Sequence, residues 1–415
     1  MRAIVAKRVD SGSADLSELQ ELAAAAGYTV VDELTQTRTE DPAFCFGEGK
    51  VEQLAERVAM RDADTVIIDN EVGPFQMFNI GQTLPADTEV LDRFTLILDI
   101  FGQRAQTRKA QLQVELAELR YELPRASAKA SLAKRDERPG FMGLGEYDES
   151  RERDIKAQIS NIKDELDSIA NKEAERRAER RESGFDLVAL AGYTNAGKST
   201  LLNALTNANV LAEDRLFATL DPTTRRVTLP GGTEVLLTDT VGFIQKLPTS
   251  VVAAFRATLE EIDDADLLLH VVDVTHPNAV QQAQTVGQVL DELHIDNRPT
   301  VVALNKIDLL PSPEEALELA ARHPHGVAIS AEQGLGIEQL MARLELALAE
   351  SMVGVAVCIP YEQNALVALF HRQGIVESEE YDPVGTRIEG YLPRRLLGSY
   401  ARYATSGCGA WRGAG

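Results

Sequence analysis

At 415 residues and a formal net charge of −23, the chain is too long for one ordinary domain, and two to four are expected. No apolar run approaches the roughly 18 residues that a membrane span needs, and Met1-Arg-Ala-Ile-Val-Ala leads into a strand-like segment without the apolar core of a signal peptide. Cys45, Cys358 and Cys408 are scattered and odd in number, so neither a disulfide framework nor a zinc cluster follows, and a reducing, cytoplasmic setting is expected.

Residues 1–100 alternate strand and helix patterns. Arg2 to Val9 reads as a strand, Asp15 to Ala26 as a helix stopped by Gly27, and Tyr28 to Leu34 as a strand. Val51 to Met60 then reads as a helix and Thr65 to Asp69 as a strand. Such repeated βα units predict a small, mostly parallel sheet. The glycine turn Phe46-Gly-Glu-Gly-Lys-Val51 precedes a helix, but its spacing fits no complete phosphate motif, and a plain strand-to-helix turn is the simpler reading.

From Asp92 to Leu123 the pattern turns helical, with Leu98, Phe101, Ala105, Leu112, Leu116, Leu119 and Leu123 on one stripe. A second stripe holds Ile155, Ile159, Ile162, Leu166 and Ile169. Two seams around a turn region containing Pro124, Pro139, Gly140, Gly143 and Gly145 predict an antiparallel helical hairpin within 101–183. Its connecting stretch carries Arg120, Arg125, Lys129, Lys134, Arg135 and Arg138 against Glu122, Asp136 and Glu137. A basic tip on an acidic chain makes Arg125, Lys129, Lys134, Arg135 and Arg138 candidate RNA contacts; solvated charges on an exposed turn are the alternative.

Residues 184–350 hold the chemistry. Gly192-Tyr193-Thr194-Asn195-Ala196-Gly197-Lys198-Ser199, with Thr200, follows the apolar run 185–191 and opens a helix. This is the context a phosphate-binding loop requires, with backbone N–H groups cradling the phosphates at a helix start. Lys198 would reach the outer phosphates and the Ser199 hydroxyl would hold Mg²⁺. Asp239-Thr240-Val241-Gly242 ends the run 235–237, placing Asp239 to bind Mg²⁺ through water and Gly242 to offer its N–H to the terminal phosphate. Asn305-Lys306-Ile307-Asp308 ends the strand 300–304, and the Asp308 carboxylate can accept the donor pair that guanine presents and adenine lacks. Ser330-Ala331-Glu332 follows the strand 326–329, where a last loop would close over the base. Their order, each at a strand end, reads as a GTP- and GDP-binding domain. His270, within the buried strand 267–273, reads as a packed histidine rather than a catalyst.

Residues 351–415 suggest a compact α+β module, with strands at 355–360 and 385–392 and a helix from Asn364 to Gly374; the tail after Ala404 carries no signal. The expected fold class is thus multidomain α/β: an N-terminal βα domain with a long hairpin, a P-loop G domain and a small C-terminal module.

The acidity is dispersed and lysine is scarce. That composition is similar to proteins of organisms with molar cytosolic salt, where a Debye length of about 3 Å screens self-repulsion; an ordinary acidic cytosolic protein is the alternative. The charge argues against an acidic membrane and leaves an RNA partner open.

Across nearly its full length the chain resembles the HflX family of translation-associated GTPases. The resemblance rests on Gly192 to Ser199, the stretch Leu216-Phe217-Ala218-Thr219-Leu220-Asp221-Pro-Thr-Thr-Arg225, Asp239-Thr-Val-Gly-Phe243, Asn305 to Asp308 and the domain order. The glycine-rich segment Gly140 to Glu146 departs from the family's pattern, which puts any function of that loop in doubt. The resemblance makes Phe217 to Asp221 the first switch, with Thr219 closing onto Mg²⁺ and the γ-phosphate; on spacing alone Thr223 and Thr224 offer the same hydroxyl. It also implies catalytic roles for Lys198, Thr219 and Gly242, and a factor that binds the large ribosomal subunit and splits stalled or idle ribosomes.

Phe243 stands where Ras-like enzymes place a water-orienting Gln. A phenyl ring offers no hydrogen bond, so slow intrinsic hydrolysis with partner stimulation is expected. Asn195 resembles GTPases in which bound K⁺ stands in for an arginine finger; an Asn that holds the turn is the alternative. A monomer is expected. A regulatory GTPase acting on a protein or membrane partner, or a helicase working through the N-terminal domain, are the competing functions.

Overall fold

The computed structural model describes residues 1–12, 14–136, 144–183, 185–206, 217, 223–244, 262–292, 295, 298–312, 315, 318, 320, 321, 323, 325–404, 412 and 413. The chain divides into two compact units: Met1–Lys172 with Glu213–Asp221 and Lys246–Ala257, and Glu173–Ala212 with Pro222–Gln245 and Thr258–Gly415.

The first unit is built on a four-stranded parallel sheet, ordered β2-β1-β3-β4, of β1 (Arg2–Val9), β2 (Thr29–Thr37), β3 (Thr65–Ile68) and β4 (Glu89–Asp92). The helices between the strands are α1 (Ser17–Ala25), α2 (Glu48–Arg61) and α3 (Pro74–Thr83). Central β1 and β3 are buried on both faces, as continuous runs such as Ala3 to Ala6 and Val66 to Ile68 require of an inner parallel strand. The α3–β4 pair was not legible in the sequence. Strand β4 is only four residues long, and α3 carries Asn and Gly among its apolar positions.

The glycine turn near residue 47 is the start of α2, with Gly47 as its N-cap. At the carboxyl end of the sheet, Asp69 holds Lys7 and Arg93, each at 2.7 Å, and Arg93 also reaches Glu18 at 3.1 Å. Asp69 and Arg93 are buried, where a charge needs a partner to offset desolvation.

The expected long helix from Asp92 is broken. Asp92 caps α4 (Arg93–Arg104) by accepting from the Thr95 amide at 2.9 Å, and the chain leaves the helix at Ala105. It restarts at α5 (Arg108–Asp136), where the Thr107 hydroxyl accepts from the Ala110 amide at 3.2 Å. Leu98 and Phe101 accordingly lie on α4, outside the cluster that forms the hairpin seam. That seam joins Leu112, Leu116 and Leu119 of α5 to Ile155 and Ile162 of α6 (Leu144–Ser183), flanked by Leu123, Ile159, Leu166 and Ile169.

Two expected turn residues are helical instead. Pro124 lies inside α5, and Gly145 lies in the first turn of α6. Proline removes one backbone bond from a helix, and the seam residues Leu119 and Leu123 keep α5 packed across the gap. Pro139, Gly140 and Gly143 lie outside the described residues.

The second unit holds a six-stranded sheet, ordered β10-β9-β8-β5-β7-β6. Its strands are β5 (Asp186–Gly192), β6 (Thr223–Thr228), β7 (Glu234–Asp239), β8 (Leu267–Asp273), β9 (Thr300–Asn305) and β10 (Gly326–Ala328); only β6 runs antiparallel. Helices α7 (Lys198–Thr206), α8 (Ala279–Glu292) and α9 (Ile337–Glu350) accompany it. Its core packs Val188, Leu190, Leu237, Leu269 and Val271 against Leu201, Leu205, Leu340 and Leu344.

The C-terminal module is an antiparallel sheet, β12-β13-β11-β14, of β11 (Met352–Pro360), β12 (Ile375–Asp382), β13 (Gly385–Pro393) and β14 (Arg412–Gly413). Helix α10 (Asn364–Gln373) supplies Phe370, which packs edge-to-face on Tyr400 of α11 (Leu397–Tyr400), with ring centroids 5.7 Å apart. Strand β12 escapes the sequence because its Glu-rich run reads as a solvated loop. The short β14 shows that the tail does pair.

Candidate functional site

At the carboxyl end of the second unit's sheet, the loop between β5 and α7 is held by contacts that explain its glycines. A side chain at Gly192 would collide with the Val271 carbonyl, and one at Gly197 (φ +91°) with the Asn305 amide. Asn195 is exposed with φ +61°, a left-handed conformation that Asn tolerates better than most residues.

Lys198 is buried and donates to the carbonyls of Gly192 at 3.2 Å and Tyr193 at 3.0 Å. Burial pushes its pKa down to about 8, against the opposing charge of Asp239. An anionic phosphate beside it would favour the charged ammonium. The Ser199 hydroxyl donates to Asp239 Oδ2 at 2.6 Å. A hydroxyl and a carboxylate converging on one point form a hard-oxygen set suited to Mg²⁺, which completes its shell with water and phosphate. The Thr240 hydroxyl turns away and donates to the Leu190 carbonyl at 2.6 Å.

The segment after Asp239 lies against the phosphate loop. Thr194 N–H donates to the Phe243 carbonyl at 2.7 Å, and Phe243 N–H donates to the Gly192 carbonyl at 3.1 Å. A Cβ placed on Gly242 would stand 2.9 Å from Thr194 Cα and 3.0 Å from Lys198 Nζ. Only glycine fits between those groups.

Asn305 ties the loop Gly192 to Ser199 to the loop at Ser330 to Glu332. Its Nδ2 donates to the Ala196 carbonyl at 2.8 Å, while its Oδ1 accepts from the Ala331 amide at 3.0 Å. Val241 is buried beside the phosphate loop's strand end, and Ile307 N–H donates to the Ile329 carbonyl at 3.2 Å. Asp308 lies half-buried in the short turn Ile307–Leu309. The Ser330 hydroxyl accepts from the Gln333 amide at 3.1 Å, and Glu332 lies exposed in that same turn. Lys306 (φ +69°) pairs with Asp273 Oδ2 at 2.7 Å. Asp273 was not among the residues the motifs single out, although it closes an apolar strand as Asp239 does. Burial holds the pKa of His270 down at about 4, leaving a neutral ring.

Phe217 belongs to the first unit, where its buried ring packs edge-to-face on Phe101 at 4.6 Å. Ala218, Thr219, Leu220 and Asp221 lie outside the described residues, as does Arg138. Lys129, Lys134 and Arg135 fall on the last turns of α5. Arg125 differs from them. Its guanidinium stacks on the Tyr121 ring at 3.2 Å and reaches Asp92 Oδ2 at 3.4 Å, and the Tyr121 hydroxyl contacts that same carboxylate. Arg125 therefore anchors α5 to the capping residue of α4. Among the described residues no helix is long and apolar enough to cross a membrane.

Three family models divide the chain: GTP-binding GTPase N-terminal over residues 13–102, GTP-binding GTPase Middle Region over 104–180, and 50S ribosome-binding GTPase over 187–306. The chain is 40% identical to the GTPase HflX of Lacrimispora saccharolytica over 395 residues, covering 94% of this chain and 92% of that protein. It is 40% identical to the GTPase HflX of Thermococcus kodakarensis over 399 residues (92% and 89%), and 36% identical to that of Escherichia coli over 381 residues (91% and 89%). Four motifs gathered at the carboxyl end of one sheet, and likeness sustained over nine-tenths of the chain, lead to one assignment: the chain belongs to the HflX family of GTPases.

Proposed function

We propose that this GTPase acts on the large ribosomal subunit, binding it in the GTP state and splitting stalled or idle ribosomes, with hydrolysis releasing it. The observation that carries this reading is the nucleotide site in a segment matched by the description 50S ribosome-binding GTPase, with Phe243 standing in the water-orienting position. Such a site holds GTP while leaving hydrolysis to a partner's help.

In this reading Lys198 grips the outer phosphates, Gly242 N–H meets the γ-phosphate, Thr219 closes the first switch, and Asp308 reads the guanine edge. Ser199 and Thr219 would hold Mg²⁺, with Asp239 acting through water. When bound, the ion neutralises charge on the phosphate oxygens. Loss of the γ-phosphate releases both switch segments, the order–disorder device of such proteins. Lys129, Lys134, Arg135 and Arg138 supply the contact with rRNA phosphates.

The test is sedimentation with purified ribosomal subunits, in a GTP analogue against GDP. Binding to the large subunit in the analogue alone is expected, and it should be lost on joint charge reversal K129E/K134E/R135E. Indifference to nucleotide would overturn the switch. Unchanged binding of the triple variant would remove the RNA contact and favour a protein partner docking on the hairpin.

A further inference from the structure

The Lys306 ammonium does not reach solvent freely. Its backbone is left-handed at φ +69°, and Nζ meets Asp273 Oδ2 at 2.7 Å. Asp273 is the last residue of β8 and stands beside Asn305 in the parallel ladder, with Val274 N–H donating to the Asn305 carbonyl at 3.2 Å. Its other oxygen accepts from the Thr275 amide at 2.9 Å and from the Thr275 hydroxyl at 2.6 Å. Both oxygens are thus occupied. Its side chain is 12% exposed and that of Lys306 24%.

We infer that Asp273 is a positioning residue of the guanine site, acting by holding the methylene stem of Lys306 as a preformed wall against the purine ring. A free lysine side chain samples many rotamers. Unrestrained, it loses that freedom whenever a base binds; fixed by Asp273, it has already lost it on folding. The stem offers apolar surface to the flat ring while the charged end stays paired.

Asp308 reads the edge of the base and Lys306 supports its face, so edge and face fall to neighbouring residues of one turn. The pKa of Asp273 agrees with this arrangement: burial alone pushes it up, yet the bonds from Lys306 and Thr275 hold it below the ordinary carboxylate range.

The inference rests on the guanine-reading role proposed above for Asp308, two residues beyond Lys306. A contact to the base is the same in GTP, in GDP and in the transition state, so losing it weakens binding without slowing chemistry. Nucleotide Kd is measured by calorimetry for GTP analogue and GDP, alongside steady-state hydrolysis, on the full chain.

Asp273→Asn is expected to raise both Kd values by one common factor, about tenfold, equivalent to about 1.4 kcal/mol. The value of kcat should stay within about twofold. In a Lys306→Met background Asp273→Asn should add nothing, because the restrained group is gone. Thr275→Val, a milder change, should move both Kd values in the same direction by a few-fold, and it carries the test if Asp273→Asn does not fold. A Kd raised by Lys306→Met yet unmoved by Asp273→Asn and Thr275→Val would overturn the inference. So would full additivity of the two substitutions, or a fall in kcat matching the loss in affinity. If Lys306→Met itself left both Kd values unchanged, the base-pocket assignment would fail with it, a result distinct from the others.

Discussion

The Thr194 amide and the Phe243 carbonyl, 2.7 Å apart, join the phosphate loop to the segment that follows Asp239. Together with the reciprocal bond from Phe243 N–H to the Gly192 carbonyl, this closes a small ring of backbone over Lys198. Gly242 precedes Phe243, and a Cβ built on it would press on Thr194 Cα and Lys198 Nζ.

Gly242→Ala should therefore push the two loops apart. Overpacking costs about 1–3 kcal/mol, and here it falls on the N–H proposed to meet the γ-phosphate. GTP hydrolysis should drop by about 10²-fold, on the scale of losing one preorganised donor, while GDP affinity changes little. Equal loss for GDP and GTP would show that the glycine serves the loop's fold rather than the γ-phosphate.

Phe243 is 3% exposed and contacts the phosphate loop through its backbone. Its ring brings no hydrogen bond to a water. Intrinsic turnover should be slow and rise strongly on adding large ribosomal subunits. Phe243→Leu, which keeps an apolar side chain, should leave turnover of the isolated chain within about threefold, because no polar group is lost. Abolished turnover would make the aromatic ring a direct contributor.

The exposed Asn195, at φ +61°, bears on the choice of monovalent cation. If bound K⁺ supplies positive charge in the transition state, hydrolysis in KCl should exceed that in NaCl at equal ionic strength, and Asn195→Ala should remove the difference. Equal rates in the two salts would leave Asn195 as the residue that tolerates a left-handed turn.

Arg125 and the three basic residues beyond it should separate cleanly. Arg125→Ala leaves the buried Asp92 carboxylate without its cation, and breaking such a pair costs about 3–5 kcal/mol. A lower Tm is expected, whereas K129E/K134E/R135E should keep the wild-type Tm. If Arg125→Ala melted with the parent, the anchor at Asp92 would carry no weight.

In the first unit, the pKa of Asp99 is raised by burial and by the charge of Glu89, with a bond from Tyr28 partly opposing; Glu118 is raised by burial and by the charges of Asp99 and Glu115. A carboxyl whose folded pKa is raised binds more protons folded than unfolded, so its contribution to stability falls as pH rises from the ordinary value of 3.8 through the folded one. Asp99→Asn should accordingly raise Tm at pH 7, and the gain should vanish below about pH 4. A gain that is independent of pH would place the effect in packing rather than charge.

Most of the candidate nucleotide site stands out along the chain because the chemistry proposed for it is local. A glycine loop before a helix, and an acid at the end of an apolar run, are patterns of neighbouring residues, and Gly192 to Ser199, Asp239 and Asn305 to Asp308 carry them in plain view. The hairpin seam was equally readable, since Leu112, Leu116, Ile155 and Ile162 repeat at helical spacing.

Tertiary structure alone decided the rest. The break at Ala105 divides an apolar stripe that runs on unbroken in sequence: α4 packs on α1, on the sheet and on α5, while the seam with α6 is built by α5 alone. Arg125 looks like any basic residue of the tip until Tyr121 and Asp92 are seen to take it. Asp273 gains its role only when β8 and β9 lie side by side and bring a carboxylate to Lys306. Spacing reports what a residue can do; the partner across the sheet, set by packing between distant segments, settles which of those things it does.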